Sequence, residues 1–114
     1  MPDSPKRKRM KQKHRVYCTY LDNGQYYIGY SGKTDKQYET YFGSSKKILA
    51  YEGNMHKETI AVYEIKSHAK MQEFLLQWQQ RRDSKCLNNM FNVRLKTEYL
   101  EDFEPVKWHP KQWL

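Results

Sequence analysis

The dipeptide Asn23-Gly24 leaves this chain little choice about how it begins to fold. Asn and Gly accept the positive φ angles of a tight hairpin turn, and flanking β-rich runs make the pair a strong hairpin signal. Val16 to Leu21 and Gln25 to Ile28 are dense in β-branched and aromatic residues. A turn between them sets Tyr17 and Tyr27 on adjacent strands. The second strand ends at Gly29, where another group can approach the backbone closely.

The remaining elements follow from period and punctuation. Thr59 to Ile65 alternates as a third strand. Ser67 precedes a helix from about His68 to Arg82, with Met71, Phe74, Leu75 and Trp78 recurring at helical spacing as its buried face. Ser44 or Ser45 caps a shorter helix running to about Tyr51 and ending near Gly53. Free amides at that helix start, the two hydroxyls and Lys46 make a phosphate seat. Tyr30 to Gln37 is polar and turn-forming, and is expected as loop. The expected class is α+β: a small three-stranded antiparallel sheet flanked by helices. At 114 residues the chain suits one domain with a modest core.

Charge divides the chain. The net charge is +8, and residues 1–15 hold seven of the 21 Lys and Arg against one acid, Asp3. These are Lys6, Arg7, Lys8, Arg9, Lys11, Lys13 and Arg15. Residues 1–14 are therefore expected as a basic arm, disordered alone, that grips phosphates in a salt-dependent way. Glu98 to Glu104 is acidic, and Trp108 and Trp113 in the 96–114 tail are expected to pack on the core or on a second subunit. Cys18 and Cys86 lie far apart, the four histidines are scattered, and neither set has zinc-ligand spacing. No apolar run approaches the ~20 residues that span a bilayer. No signal-peptide core follows the basic start, so an intracellular protein is expected.

Several of these segments together carry a resemblance. Tyr27-Ile28-Gly29 is literal; Arg15-Val16-Tyr17 stands where Gly-Ile-Tyr would be, keeping its tyrosine ten residues before the second. Tyr41-Phe42-Gly43-Ser44-Ser45-Lys46 and Phe91-Asn92-Val93 follow in order. Over residues 15–95 the chain resembles the GIY-YIG nuclease superfamily, in the variant common among short phage-encoded nucleases. The resemblance implies a DNA endonuclease that hydrolyses phosphodiesters with Mg²⁺ or Mn²⁺, acting inside a bacterial host. It implies Tyr17 as general base, Tyr27 as the group orienting water or phosphate, Glu73 as metal ligand and Asn92 as the brace of the site. Ala69 and Glu73 match the family's alanine-to-glutamate spacing, while other registers put that glutamate position at Leu75 or Gln77.

One departure concerns the phosphate cation. The family's common pattern has an arginine on the first helix, and this chain has none between Arg15 and Arg81. Lys46, with Lys36 behind it, is the expected substitute, although lysine lacks arginine's bidentate fork. Two other functions stay open: a catalytically silent nucleic-acid-binding module of the same fold, and a small basic protein that binds a protein partner.

Overall fold

The computed structural model describes residues 12–91 and 94–111. Their elements run β1 (His14–Leu21), β2 (Tyr26–Ser31), α1 (Asp35–Glu39), α2 (Lys46–Ala50), β3 (Met55–Tyr63) and α3 (Lys66–Gln79), then a 3₁₀ turn at Thr97–Tyr99. The sheet has the order β2-β1-β3 and both pairings are antiparallel. This is the α+β arrangement expected, a small sheet flanked by helices.

The hairpin forms at the Asn-Gly turn. Gly24 adopts φ 92°, and Leu21 N–H bonds Gln25 C=O at 2.8 Å. Because β1 lies between two strands with material on both faces, every one of its residues is buried. Side chains alternate along it. Val16, Cys18 and Tyr20 join Tyr26, Ile28, Ala69, Leu76 and Trp108 in the hydrophobic core. Tyr17 and Thr19 point to the opposite face, where Thr19 Oγ1 donates to Phe42 C=O at 2.6 Å.

Strand three differs from expectation at both ends. It begins at Met55 and stops at Tyr63. The long β1 supplies partners down to Leu21, so Met55–Glu58 are drawn into the ladder. A register shift pairs Val16 with Ala61 and Tyr17 with Thr59, leaving Ile60 as the extra residue of a bulge. The Tyr30–Gln37 stretch is not all loop: β2 reaches Ser31, and α1 starts at Asp35. Thr34 and Gln37 form a reciprocal capping box that starts α1.

The long helix presents a different face from the one its apolar residues suggest. His68, Ala69, Gln72, Leu76 and Gln77 are buried. Phe74 and Trp78 instead pack with Phe91, at ring-centroid distances of 5.5 and 5.8 Å from it, on the outside. The buried polar residues face backbone that must be satisfied. Gln72 accepts from Val106 N–H at 2.7 Å and donates to Val106 C=O at 3.2 Å, and His68 Nε2 lies 2.7 Å from Tyr99 C=O. Those bonds lash the C-terminal segment across the core, and Trp108 is inserted into it, only 8% exposed. Among the described residues, no helix is long and apolar enough to cross a membrane.

Candidate active site

β2 is an edge strand, and an edge strand leaves a row of amides and carbonyls without a ladder partner. Residues 85–88 cover it. Tyr26 N–H bonds Lys85 C=O at 3.0 Å, and Leu87 N–H returns to Tyr26 C=O at 2.8 Å. One step further, the Asn88 side chain replaces the missing strand. Its Oδ1 accepts from Ile28 N–H and its Nδ2 donates to Ile28 C=O, both at 2.8 Å. Gln77 Nε2 adds a second bond to the same carbonyl at 3.1 Å. The centre of the Tyr-Ile-Gly triplet is thereby held by amides from α3 and from the loop after it.

A cleft of about 320 Å³ opens beside this brace. Tyr17, Tyr27, Tyr41, Ser44, Ser45, Glu73 and Asn88 are among the side chains lining it. Gly29 is what lets Tyr17 arrive there. A Cβ on Gly29 would sit 2.4 Å from the Tyr17 hydroxyl and 2.9 Å from the Tyr27 ring. Gly43 serves the same end from the other side. It holds φ 135°, and a Cβ there would meet the Tyr27 ring at 3.1 Å. The Tyr17 and Tyr27 rings are tilted with centroids 6.5 Å apart, and Tyr41 meets Tyr17 edge-on at 5.9 Å.

Charge in the cleft is concentrated on α3. Glu73 bonds Lys70 Nζ at 2.9 Å and accepts from Gln77 Nε2 at 3.2 Å. Burial raises its carboxyl pKa all the same, with Lys70 and Gln77 offsetting part of the rise. Tyr17 is 1% exposed. Burial first, then Tyr41, Tyr27 and Glu73, push its phenol far above the ordinary range. Tyr27 is pushed up to about 12 by burial, Glu73 and Tyr41. Both phenols are neutral at physiological pH in this state. A neutral phenol can donate a hydrogen bond, and either becomes a base only where positive charge enters the cleft.

The sequence expectations separate here. Tyr17, Tyr27 and Glu73 come together in the cleft, with Ser44 and Ser45. Lys46 and Lys36 are exposed and do not line it. The helix that Lys46 opens is five residues long, so the serine hydroxyls, not its dipole, are what α2 brings to the site. Arg15, expected in the DNA-binding arm, is buried in the sheet. It bonds Asp35 and donates to Lys33 C=O at 3.1 Å, with its guanidinium 4.4 Å over the Tyr38 ring. Lys13 is exposed and pairs with Asp35 at 3.3 Å. Asn92, Trp113 and the arm residues Lys6, Arg7, Lys8, Arg9 and Lys11 lie outside the described residues.

Two residues of the site escaped the sequence reading. Lys70 is its cation, and the Lys70–Glu73 spacing of three on a helix was a legible signal. Asn88 is its brace, in a stretch that reads only as loop. A single carboxylate with phenolic and serine hydroxyls suits Mg²⁺, which keeps most of its waters and takes one or two carboxylates plus substrate phosphate. Among the described residues, no group of three or more His, Cys, Asp or Glu side chains gathers to hold a metal. No family model, no curated protein and no solved structure matches this chain.

Proposed function

We propose that this protein is a metal-dependent endonuclease that hydrolyses phosphodiester bonds of DNA in the Glu73 cleft. The observation that carries the proposal is the convergence of Tyr17, Tyr27, Ser44, Ser45 and Glu73 on one concave site from four parts of the chain. Tyr17, Tyr27 and Glu73 are among the residues singled out by the resemblance to the GIY-YIG superfamily, and the sheet register sets the two tyrosines diagonally across neighbouring strands.

The division of labour follows from charge. Phosphodiester hydrolysis piles negative charge on the phosphate oxygens and the leaving oxygen. Glu73 is the side chain that would hold Mg²⁺ or Mn²⁺. Bound there, such an ion would supply Lewis-acid polarisation of the phosphate. Tyr27 and the two serine hydroxyls donate to phosphate oxygens and orient the attacking water. Tyr17 takes the water's proton only if its own phenol has first lost one, which burial opposes and added positive charge favours. Lys70, on α3, offsets phosphate charge, the task the resemblance gives to an arginine on the first helix.

A second function has one specific observation behind it. Lys70 sits 2.9 Å from Glu73 and already neutralises it. A protein that kept this pair when loaded would bind phosphate without cutting. Incubating the purified chain with supercoiled plasmid, with Mg²⁺, Mn²⁺ or EDTA, separates the two. Metal-dependent nicked or linear product is expected. Intact plasmid in all three, despite retention of DNA, would leave only the binding module.

A further inference from the structure

A second groove adjoins the cleft and carries charge of one sign. It encloses about 540 Å³ and is lined by Lys66, Ser67, Lys70, Arg94, Lys96 and the Tyr30 and Tyr99 rings. Four of these side chains are cations and none is an acid. Tyr30 and Lys70 also line the cleft beside Glu73, so the two concavities share a wall. Among the described residues, no carboxylate within ion-pair distance neutralises Lys66, Arg94 or Lys96.

The groove is held in shape by contacts that do not use its charges. His68 Nε2 lies 2.7 Å from Tyr99 C=O and pins the Arg94–Tyr99 stretch onto α3. The His68 ring packs edge-on against Phe103 and Tyr63, at 5.6 and 6.0 Å. The lysine ammonium groups, by contrast, sit over aromatic faces. Lys70 Nζ is 5.1 Å and Lys66 Nζ 6.0 Å from the Tyr30 centroid, and Lys96 Nζ is 6.0 Å from that of Tyr99. Like charges gathered in a fixed groove repel one another, and an arriving polyanion removes that cost and releases its own counterions.

We infer that this groove is the track for the nucleic-acid backbone flanking the cleaved phosphate. With one phosphate at Glu73, Lys70 and the serine hydroxyls, its neighbours on the same strand pass Tyr30 and lie along Lys66, Lys96 and Arg94. Arg94 can take a phosphate with two parallel N–H bonds, whereas the lysines act as point charges. The C-terminal segment, expected from sequence to lie beyond the functional core, thus completes the substrate site. This inference rests on the proposed function only for its substrate class, since binding requires no cleavage.

The test measures binding in EDTA, where cutting does not interfere. Anisotropy of a labelled 20-base-pair duplex is titrated with full-length protein across a sodium chloride series. Lys66→Gln/Arg94→Gln/Lys96→Gln is expected to flatten the log–log salt slope by about 2 to 3, at about 0.9 for each phosphate that the protein no longer neutralises. Affinity at moderate salt should fall at least tenfold. Ser67→Glu provides a second variant that removes no side-chain contact of the fold. A carboxylate in the first turn of α3 favours the helix, so a loss of affinity there reports repulsion in the groove and not unfolding. Wild-type slope and affinity in both variants, each folded by circular dichroism, would overturn the track. Poly-glutamate competing as well as DNA per charge would also overturn it, in favour of an acidic protein partner. If the variants weaken binding but wild type never cuts plasmid, the nuclease proposal fails and the track stands. If wild type cuts and the variants bind unchanged, the track alone fails.

Discussion

Glu73 and Glu58 are both drawn into this protein, and their surroundings treat them oppositely. Glu58, on β3, accepts from the Tyr20 hydroxyl at 2.7 Å and Trp108 Nε1 at 3.1 Å, and pairs with Lys111. Burial works to raise its pKa, but those three donors outweigh it and the carboxyl ends below the ordinary range. Glu73 has one lysine and one amide, and burial wins. Its oxygens also face a cleft, whereas those of Glu58 are roofed by the C-terminal segment. A carboxylate whose acceptor sites are filled by its own chain is a fastening. One left short of donors, beside an open cavity, has capacity for a cation or a substrate.

The difference is open to attack by mutation. Glu73→Gln should make the largest change: metal-dependent plasmid cleavage falls to background, while duplex affinity in EDTA persists. Melting temperature should hold or rise, because an ionised group that burial disfavours has been removed. Full cleavage in that variant would dissolve the contrast between the two carboxylates. Tyr17→Phe deletes only a hydroxyl, and single-turnover cleavage should slow about 10²–10⁴-fold. Its pH profile is informative too. If Tyr17 is the base, wild-type rate should climb with pH through the neutral range, since its phenol is raised by burial. A flat profile there would assign the neutral phenol to hydrogen bonding alone.

Glu58→Gln should leave cleavage per folded molecule unchanged and cost about 2 kcal/mol of unfolding free energy, the range for hydrogen bonds to a charged group. Acid titration sharpens this. Glu58 has a lowered folded pKa, so its contribution is present above the unfolded value of 4.5 and is lost as pH falls through the folded one. Glu73 has the opposite sign. Its folded pKa is raised, so its contribution is greatest below 4.5 and is lost as pH rises through the folded value. Denaturant melts of each Gln variant between pH 3 and 7 should therefore differ from wild type with opposite pH slopes. The smallest effect is expected from Lys111→Gln, which leaves the core intact and removes one exposed cationic donor to Glu58. At most about 1 kcal/mol of stability should go, read by urea melts, with DNA affinity unaltered.

What the sequence by itself determined is local. The Asn23-Gly24 turn, the pairing of Tyr17 and Tyr27 strands and the Ser45 cap of α2 each depend on a few neighbouring residues, and the structure has all three. The Thr34–Gln37 capping box was equally local, and α1 was legible there although the polar composition suggested loop. Tertiary structure decided the rest. The helical face of α3 could not be read from hydrophobicity, because the buried His68, Gln72 and Gln77 are stabilised by distant backbone at Tyr99, Val106 and Ile28. Phe74 and Trp78, apolar and well spaced, yielded that place to polar side chains whose partners the chain supplies elsewhere. The same rotation of α3 put Glu73 and Lys70 at the tyrosine cleft. Arg15 was decided by the packing of α1, which brings Asp35 onto it and turns a cation of the basic run into a tie within the fold. Turn chemistry and strand composition act over a few residues, whereas the face a helix buries depends on which distant polar groups need partners. That demand exists only once the sheet, the helix and the C-terminal segment have met.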